Sequence, residues 1–334
     1  MFGRDIGIDL GTANVLIHVK GKGIVLNEPS VVAIDTSTKR VLAVGDEAFR
    51  MVGRTPGNIV ATRPLKDGVI ADFDTTESML KHFLNKIKVK GMFGKPRILI
   101  CCPTNITSVE QKAIREAAEK SGGKNIYLEE EPKVAAVGAG MDIYQPSGNM
   151  VVDIGGGTTD VAVLSMGDIV TASSIKIAGD RFDNDILSYI KKKYKLLIGE
   201  RTAEEIKKTV GTVFPDGRDE EMDIRGRDMV SGLPQTVTVK SEEVRSALEE
   251  SIYHIVQASR NVLERTPPEL SADIIDRGII LTGGGAYLHG IDQLLASELK
   301  VPVFVAEEPM NCVAIGTGIM LENLDRINQR KLKI

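Results

Sequence analysis

The sequence contains no tryptophan, and aromatic residues make up only 4% of its 334 positions. Its three cysteines are too few for the disulfide framework of a small secreted domain and fit a reducing compartment. The longest apolar runs, such as residues 98–102 (ILICC), are far shorter than a membrane-spanning helix. The first residues contain no basic segment followed by an apolar one, so we expect neither a signal peptide nor a membrane span.

The chain also has no large excess of either charge. Lys and Arg number 42 against 46 Asp and Glu, and the formal net charge is −4. This balance argues against a surface dominated by nucleic-acid binding, so we expect no nucleic-acid partner. Because a single core usually stops growing at about 250–300 residues, the length predicts more than one domain.

The order of predicted elements repeats within the chain. Strands joined by tight turns are expected over residues 5–27, and the same strand–turn–strand–turn–strand series returns over residues 150–177. Residues 8–12 (IDLGT) match residues 152–156 (VDIGG). Two separated copies of one unit predict a duplicated fold with two similar halves. Helical spacing or helix-start signals predict further elements over residues 75–88, 107–121, 134–139, 183–195, 202–210, 244–263 and 311–324, with a surface loop over 214–223.

Three glycine-rich loops are the main candidates for a binding site. They are residues 9–14 (DLGTAN), 153–160 (DIGGGTTD) and 282–287 (TGGGAY). Glycines let backbone N–H groups approach a phosphate closely. Asp9 and Asp153 would repel that phosphate unless a divalent cation lies between them, and Mg²⁺ commonly binds carboxylates, water and phosphates together. The sequence therefore predicts a metal–nucleotide site between the two halves.

Two familiar nucleotide motifs do not fit. A Rossmann turn leads into a helix, whereas strands are predicted after the first two loops, at residues 15–20 and 161–165. A Walker A motif is absent from the sequence. For any one glycine loop taken alone, a plain hairpin turn remains the alternative.

These loops together resemble the superfamily of actin, sugar kinases and DnaK-type chaperones. Residues 21–30 (GKGIVLNEPS), 63–72 (RPLKDGVIAD) and 266–270 (TPPEL) resemble the MreB family of bacterial actins, and residues 101–108 (CCPTNITS) resemble its Mbl subclass. The resemblance covers essentially the whole chain. It implies an α/β actin-like ATPase fold, in which two duplicated, ribonuclease-H-like domains each carry a smaller subdomain and close on a nucleotide. The implied boundaries are 1–32, 66–145 and 313–334 for subdomain IA, 33–65 for IB, 146–181 and 241–312 for IIA, and 182–240 for IIB.

The resemblance also implies ATP and Mg²⁺ as cofactors. Asp9 and Asp153 would hold the cation through water. Phosphate contacts would come from Thr12, Ala13, Asn14, Gly156, Gly157 and Thr158, and nucleoside contacts from Glu204, Glu205, Ile206, Lys207, Gly284, Gly285, Ala286 and Tyr287.

The implied catalytic residues are Glu131 and Thr158. Glu131 matches the catalytic glutamate of the MreB family, and Thr158 matches the threonine that helps to place the attacking water. From the residues alone, acids at positions 129–131 are explained by their favourable position at a helix start, and Glu130 stays an alternative.

A short apolar segment is a candidate membrane contact. Met92 and Phe93 lie between glycines and are surrounded by basic residues, which suits insertion at an anionic lipid surface. The alternative is that both side chains pack back onto the core. The resemblance favours membrane contact, since many MreB proteins bind membrane through a hydrophobic loop at this place.

The function implied by the resemblance is that of a filament-forming cytoskeletal protein and slow ATPase. It would lie in the cytoplasm on the inner face of the cell membrane, organise peptidoglycan synthesis and maintain rod shape. Implied partners are other copies in paired antiparallel protofilaments, membrane lipids, MreC, MreD, RodZ, RodA and a penicillin-binding protein. The alternatives are a plasmid-segregating actin and a small-molecule kinase of the superfamily. A chaperone is disfavoured, because we expect no client-binding domain after the final helix.

Overall fold

The computed structural model describes residues 5–87, 96–215 and 217–331, with side chains to residue 323. The predicted membrane-contact residues Met92 and Phe93 lie outside the described residues.

The first half begins with three strands joined by tight turns. Its strands are β1 (Ile6–Leu10), β2 (Asn14–Val19), β3 (Gly23–Pro29), β4 (Val32–Asp35), β5 (Val41–Val44), β6 (Ile59–Thr62), β7 (Leu65–Lys66), β8 (Val69–Ile70), β9 (Arg97–Cys102) and β10 (Asn125–Glu130). Its helices are α1 (Asp46–Met51), α2 (Phe73–Lys86), α3 (Ser108–Lys120) and α4 (Glu131–Gly138).

The second half repeats the opening and then adds helices. Its elements are β11 (Asn149–Ile154), β12 (Thr159–Ser165), β13 (Asp168–Ile175), α5 (Gly179–Tyr194), β14 (Leu196–Leu197), α6 (Glu200–Val210), β15 (Glu221–Asp228), β16 (Pro234–Lys240), α7 (Ser241–Glu264), α8 (Pro268–Arg277), β17 (Ile279–Thr282), α9 (Ile291–Leu299) and β18 (Val303–Val305). Helix α10 (Cys312–Lys331) then returns to the first half, where it packs on α4 and β1.

The two main sheets have the same topology, which confirms the predicted duplication. The first has the order β10-β9-β1-β2-β3 and the second the order β18-β17-β11-β12-β13. In each, the opening strands pair antiparallel and the later two strands join in parallel. The first and second glycine loops therefore occupy equivalent hairpin turns, β1–β2 and β11–β12.

The hydrophobic cores explain how the halves stay together. One core packs the first sheet against α2 and α3, and another packs the second sheet against α5, α6 and α7. A third core is shared: Leu99 of β9 and Val151 of β11 both pack with residues of α4 and α10. Smaller sheets, β5-β4-β6 in the first half and β14-β15-β16 in the second, extend from the main ones.

Local sequence signals account for most of these elements. Thr107 caps α3 as predicted, because its hydroxyl accepts a hydrogen bond from the Glu110 N–H while Glu110 bonds back to Thr107. The predicted loop over 214–223 is wrong at its end, since β15 already begins at Glu221. The prolines at 267 and 268 follow the end of α7 and also start α8, a helix that the sequence patterns do not predict.

No helix in the described part of the chain is long and apolar enough to cross a membrane. Cys101, Cys102 and Cys312 are all buried and free of disulfides.

Candidate functional site

The first two glycine loops lie against each other at the boundary between the halves. An ideal Cβ atom on Gly156 would lie 2.6 Å from the Cβ of Ala13 and 2.9 Å from its backbone nitrogen. A Cβ atom on Gly157 would lie 2.5 Å from the Thr12 hydroxyl oxygen. Only glycine permits this approach, which brings the backbones of the two loops together at one place.

The side chains of Thr12 and Asn14, on either side of Ala13, both make hydrogen bonds within the protein. The Thr12 hydroxyl accepts a 2.9 Å hydrogen bond from the N–H of Gly68, in the turn between β7 and β8. Because the oxygen is the acceptor there, its hydrogen remains available for a phosphate. The Asn14 amide donates to Asn27 at 2.8 Å, so Asn14 has its backbone rather than this amide hydrogen to offer.

The third glycine loop packs on the end of β11. Gly283 has a positive φ of 80°, and a Cβ atom there would lie 2.3 Å from the carbonyl oxygen of Ile154. Gly284 faces open space and Tyr287 is 64% exposed, so both are accessible to a ligand. Ala286 is different: its side chain is buried in the core of the second half, which leaves it only backbone contacts.

Helix α6 presents a mixed set of the predicted nucleoside residues. Glu204 is half-buried and accepts a 2.6 Å hydrogen bond from Lys208, and Glu205 is exposed. The Ile206 side chain is completely buried in the core of the second half. A residue at this position can meet a nucleoside only through its backbone.

Lys207 joins α6 to the start of α5. Its ammonium lies 2.8 Å from Asp183 and donates a 3.0 Å hydrogen bond to the Gly179 carbonyl. The amides of Gly179 and Asp180 in turn donate to the carbonyls of Gly155 and Gly156 in the second loop. Lys207 thus supports the second glycine loop through α5, a role that helical spacing alone does not predict.

A cluster of carboxyl groups lies beneath the loops. Burial raises the pKa of Asp9 to about 8, and the nearby charge of Asp153 adds to the shift. Burial likewise raises the pKa of Asp153 to about 7, against the lowering effect of a 2.7 Å hydrogen bond from Thr282. Carboxyl groups this reluctant to ionise are ones that a divalent cation would stabilise as anions. Nowhere in the described ranges do three His, Cys, Asp or Glu side chains form a direct metal cage. The pair therefore fits a cation held partly through water and ligand oxygens.

The three consecutive glutamates have different surroundings. Glu129 forms a 3.2 Å ion pair with Lys133, and Glu130 is half-buried. Glu131, the first residue of α4, joins the acid cluster: burial raises its pKa well above the usual value, and Asp153 and Asp160 add to the shift. Burial raises the pKa of Glu130 as well, and Asp153 is among the charges that act on Glu131.

A cavity of about 470 Å³ lies beside the first two loops, with residues of α1 and β6 on one side and of α5 and α6 on the other. Thr12 and Gly157 contribute to its lining, and Glu204 to one side. Arg63 and Asp180 form a 3.2 Å ion pair in its wall, between β6 and the start of α5. The volume lies in the range typical of small-molecule sites.

Several residues of this region were absent from the sequence predictions. Gly68 bonds to Thr12 within the first half, and Thr104 bonds to Asp160 across the two halves, which spacing along the chain does not reveal. One signal existed for Asp160: it lies seven residues after Asp153, across a tight hairpin, and is its cross-strand partner.

Two sheets of equal topology, two apposed glycine loops and a central acid cluster define an actin-like nucleotide-binding protein. A sequence profile of the MreB/Mbl protein family matches residues 3–329. The chain belongs to this family.

Individual relatives agree with that assignment. The cell shape-determining protein Mbl of Bacillus subtilis strain 168 is 78% identical over 332 residues, covering 99% of this chain and all of that protein. The cell shape-determining protein MreB of Escherichia coli K12 is 52% identical, with 97% and 95% covered. The crystal structure of MreB5 of Spiroplasma citri bound to ADP superposes with a TM-score of 0.93 at 42% identity, covering 98% of both chains. A second structure of MreB5 carries AMPPNP and also has a TM-score of 0.93.

Proposed function

We propose that this chain is a cytoskeletal ATPase that determines cell shape by assembling into filaments with Mg-ATP. The observation that carries the proposal is the contact of Gly156 and Gly157 with Ala13 and Thr12, which brings the first two glycine loops together at the boundary between the halves. The nucleotide-bound MreB5 structures and the names of the Mbl and MreB relatives support it.

The proposed roles follow from the surroundings of each residue. The amides of residues 12–14 and 156–158 bind the phosphates, and Asp9 with Asp153 holds Mg²⁺ through water. Gly284, Gly285 and Tyr287 contact the nucleoside, together with Glu204 and Glu205 and the backbone of the neighbouring Ile206 and Ala286. Lys207 keeps α5 and α6 in place at that pocket.

Hydrolysis needs a group that orients and deprotonates a water. Bound Mg-ATP supplies the phosphoanhydride bond that water cleaves. Glu131 accepts the proton of that water, and Thr158, at the start of β12, helps to orient it. Burial raises the pKa of the Glu131 carboxyl, and a cation close to the cluster would favour its ionised form, so hydrolysis should be slow without Mg²⁺.

The cellular part of the proposal rests on family membership. Copies of the chain pair as antiparallel protofilaments on the cytoplasmic face of the membrane, contacting lipid through Met92 and Phe93. The filaments work with MreC, MreD, RodZ, RodA and a penicillin-binding protein to organise peptidoglycan synthesis. The four-subdomain division, with IB at residues 33–65 and IIB at 182–240, belongs to the same proposal.

Electron microscopy with Mg-ATP and anionic liposomes tests this function. The expected result is filaments that coat the liposomes, together with slow phosphate release. Met92→Ser with Phe93→Ser should still form filaments but lose the lipid coat. Globular particles with every nucleotide would contradict the proposal. Phosphate release that depends on an added small metabolite would favour a kinase instead.

A further inference from the structure

The small sheet β5-β4-β6 of the first half carries an aromatic side chain that borders the cavity. Phe49 lies in α1, which packs on this sheet around a separate small core that includes Val31, Ala33 and Ala48. The Phe49 side chain is half-buried against that core and also lines the cavity of about 470 Å³. Phe49 therefore contacts both the core of the small sheet and the space beside the glycine loops.

The opposite wall of the cavity contains an arginine at the start of a helix. Arg201 is the second residue of α6, and its guanidinium carbon lies 5.2 Å from the centre of the Phe49 ring. This distance is within the limit of about 6 Å for a cation–π interaction. Because α1 belongs to the first half of the chain and α6 to the second, this contact bridges the cavity.

The stability of α6 does not explain the position of Arg201. The N-terminus of a helix carries partial positive charge, so its first turn disfavours a cation. Glu200, the first residue of α6, suits this end of the helix, whereas Arg201 does not. Ala203 and Ile206 hold the helix in the core of the second half, so packing does not require Arg201 either. The contact with Phe49 gives the position of this arginine a physical reason.

The Arg201 guanidinium is only partly satisfied in this contact. Its Nη1 atom is buried, and no group in the described part of the chain makes a hydrogen bond to it. A buried donor that lacks a partner costs free energy, which offsets part of the attraction between the guanidinium and the ring. Separation of the two walls would let water bind Nη1. The contact can therefore break and form again at low cost.

The two glycine loops border the same cavity. Thr12 and Gly157 line it together with Phe49 and Arg201. A nucleotide held between the loops therefore lies beside the space that the contact bridges. A nucleotide that leaves through this space must separate the two walls, and this separation breaks the contact between the ring and the guanidinium.

We propose that Phe49 and Arg201 form a latch that keeps the cleft closed over bound nucleotide and slows its release, an inference that rests on the proposed ATPase function. The latch acts on the walls of the cavity and not on the phosphates. It therefore sets the rate at which nucleotide leaves and has little effect on the cleavage step itself. Because one cation–π contact is a small interaction, its loss should speed nucleotide release by about threefold to tenfold.

A double-mutant cycle tests whether the two side chains act as a pair. Stopped-flow release of a fluorescent ADP analogue should be measured for Phe49→Leu, Arg201→Ala and the double variant. We expect each single change to speed release by about threefold to tenfold, and the double variant to be no faster than the faster single variant. Cleavage in a single turnover should stay at the wild-type rate. Arg225→Ala, at an exposed position in β15, is the matched control and should release nucleotide at the wild-type rate.

The outcomes separate this inference from the proposed function. Release at the wild-type rate from both single variants, or effects that add in the double variant, would overturn the latch and leave the ATPase function standing. A wild-type protein that binds no nucleotide would instead refute the proposed function.

The absence of tryptophan from the chain allows a second test that does not depend on catalysis. In Phe49→Trp the introduced residue is the only tryptophan, so its fluorescence reports on this one position. With Mg-ADP bound, we expect acrylamide to quench this fluorescence more strongly when Arg201→Ala is added, because the guanidinium no longer covers the ring. Equal quenching with and without Arg201 would overturn the inference. This comparison remains available if Phe49→Leu fails to fold.

Discussion

Gly157 of the second half lies against Thr12 of the first: a Cβ atom on Gly157 would lie 2.5 Å from the Thr12 hydroxyl oxygen and 3.1 Å from the Cα of Asp67. The same Thr12 oxygen accepts the hydrogen bond from Gly68, so three chain segments meet at one point. The two loops can therefore approach each other only because residue 157 is a glycine.

Gly157→Ala should weaken nucleotide binding. The added methyl group would clash with the Thr12 side chain and press against the Cα of Asp67, so the two loops would have to move apart. We expect the Kd for Mg-ATP, measured by isothermal titration calorimetry, to rise by about tenfold or more. Gly57→Ala is the matched control, since a Cβ atom at Gly57 would meet nothing within 4 Å. Equal Kd values for the two variants would show that the loops do not bind the phosphates together.

Glu131→Gln should separate binding from hydrolysis. The amide keeps the size of the side chain but cannot accept a proton from water, so phosphate release should fall by about a hundredfold or more. The affinity for nucleotide should change little. Glu130→Gln is the control, because Glu130 lies outside the carboxyl pair formed by Glu131 and Asp153. Slower phosphate release from Glu130→Gln than from Glu131→Gln would show that Glu130 is the catalytic residue.

Acidity should stabilise the fold when magnesium is absent, and bound magnesium should offset the loss of stability at higher pH. The pKa of Asp9 is about 8 and that of Asp153 about 7, whereas unfolded Asp titrates near pH 4. Between these values the folded chain binds more protons than the unfolded chain, so these groups make stability fall as pH rises from about 4 to about 8. Mg²⁺ with nucleotide binds the ionised carboxylates and should flatten or reverse that slope.

The measurement is the midpoint of thermal unfolding at several pH values, with and without Mg-ADP. Asp153→Asn removes one of the two carboxyls and should reduce the slope, whereas the exposed control Asp276→Asn should leave it intact. An unchanged slope in the Asp153 variant would mean that other groups cause it.

The ion pair between Arg63 and Asp180 should slow nucleotide release. It joins the two sides of the cavity, but both side chains remain about a third exposed, so solvent screens the interaction. Its expected contribution is at most about 1 kcal/mol, which corresponds to an increase of up to about fivefold in the dissociation rate. Stopped-flow release of a fluorescent nucleotide from Arg63→Met, Asp180→Asn and the double variant measures it. Additive effects of the two single changes would show that the pair does not act as a unit.

The sequence predicted the elements whose signals are local. Thr107 and Glu110 are three residues apart, which is the spacing of a capping box, and the helix begins there. The strands of the smaller sheet at Glu221–Lys240 escaped prediction, because among their apolar side chains only Ile224 and Val239 are buried. Without an alternating apolar face, such strands look like a polar loop.

The candidate site likewise contains residues that short sequence patterns predict and residues that come together only in the folded chain. The sequence predicts Asp9 and Asp153 because each lies in the same short pattern, in which an Asp between two apolar residues precedes a glycine. The burial of Ile206 was missed because a helix face cannot be assigned until its packing partner is known. Thr104 and Asp160 are 56 residues apart and meet only when the two halves associate. The resemblance to MreB proteins supplied Glu131, which position alone did not separate from Glu130.

The most direct test of the account is a crystal structure of this chain with Mg²⁺ and a non-hydrolysable ATP analogue. We predict that the β- and γ-phosphates lie between residues 11–14 and 155–158, with the cation linked through water to Asp9 and Asp153. Contact of the phosphates with one half alone, or a nucleotide bound outside this cleft, would contradict it.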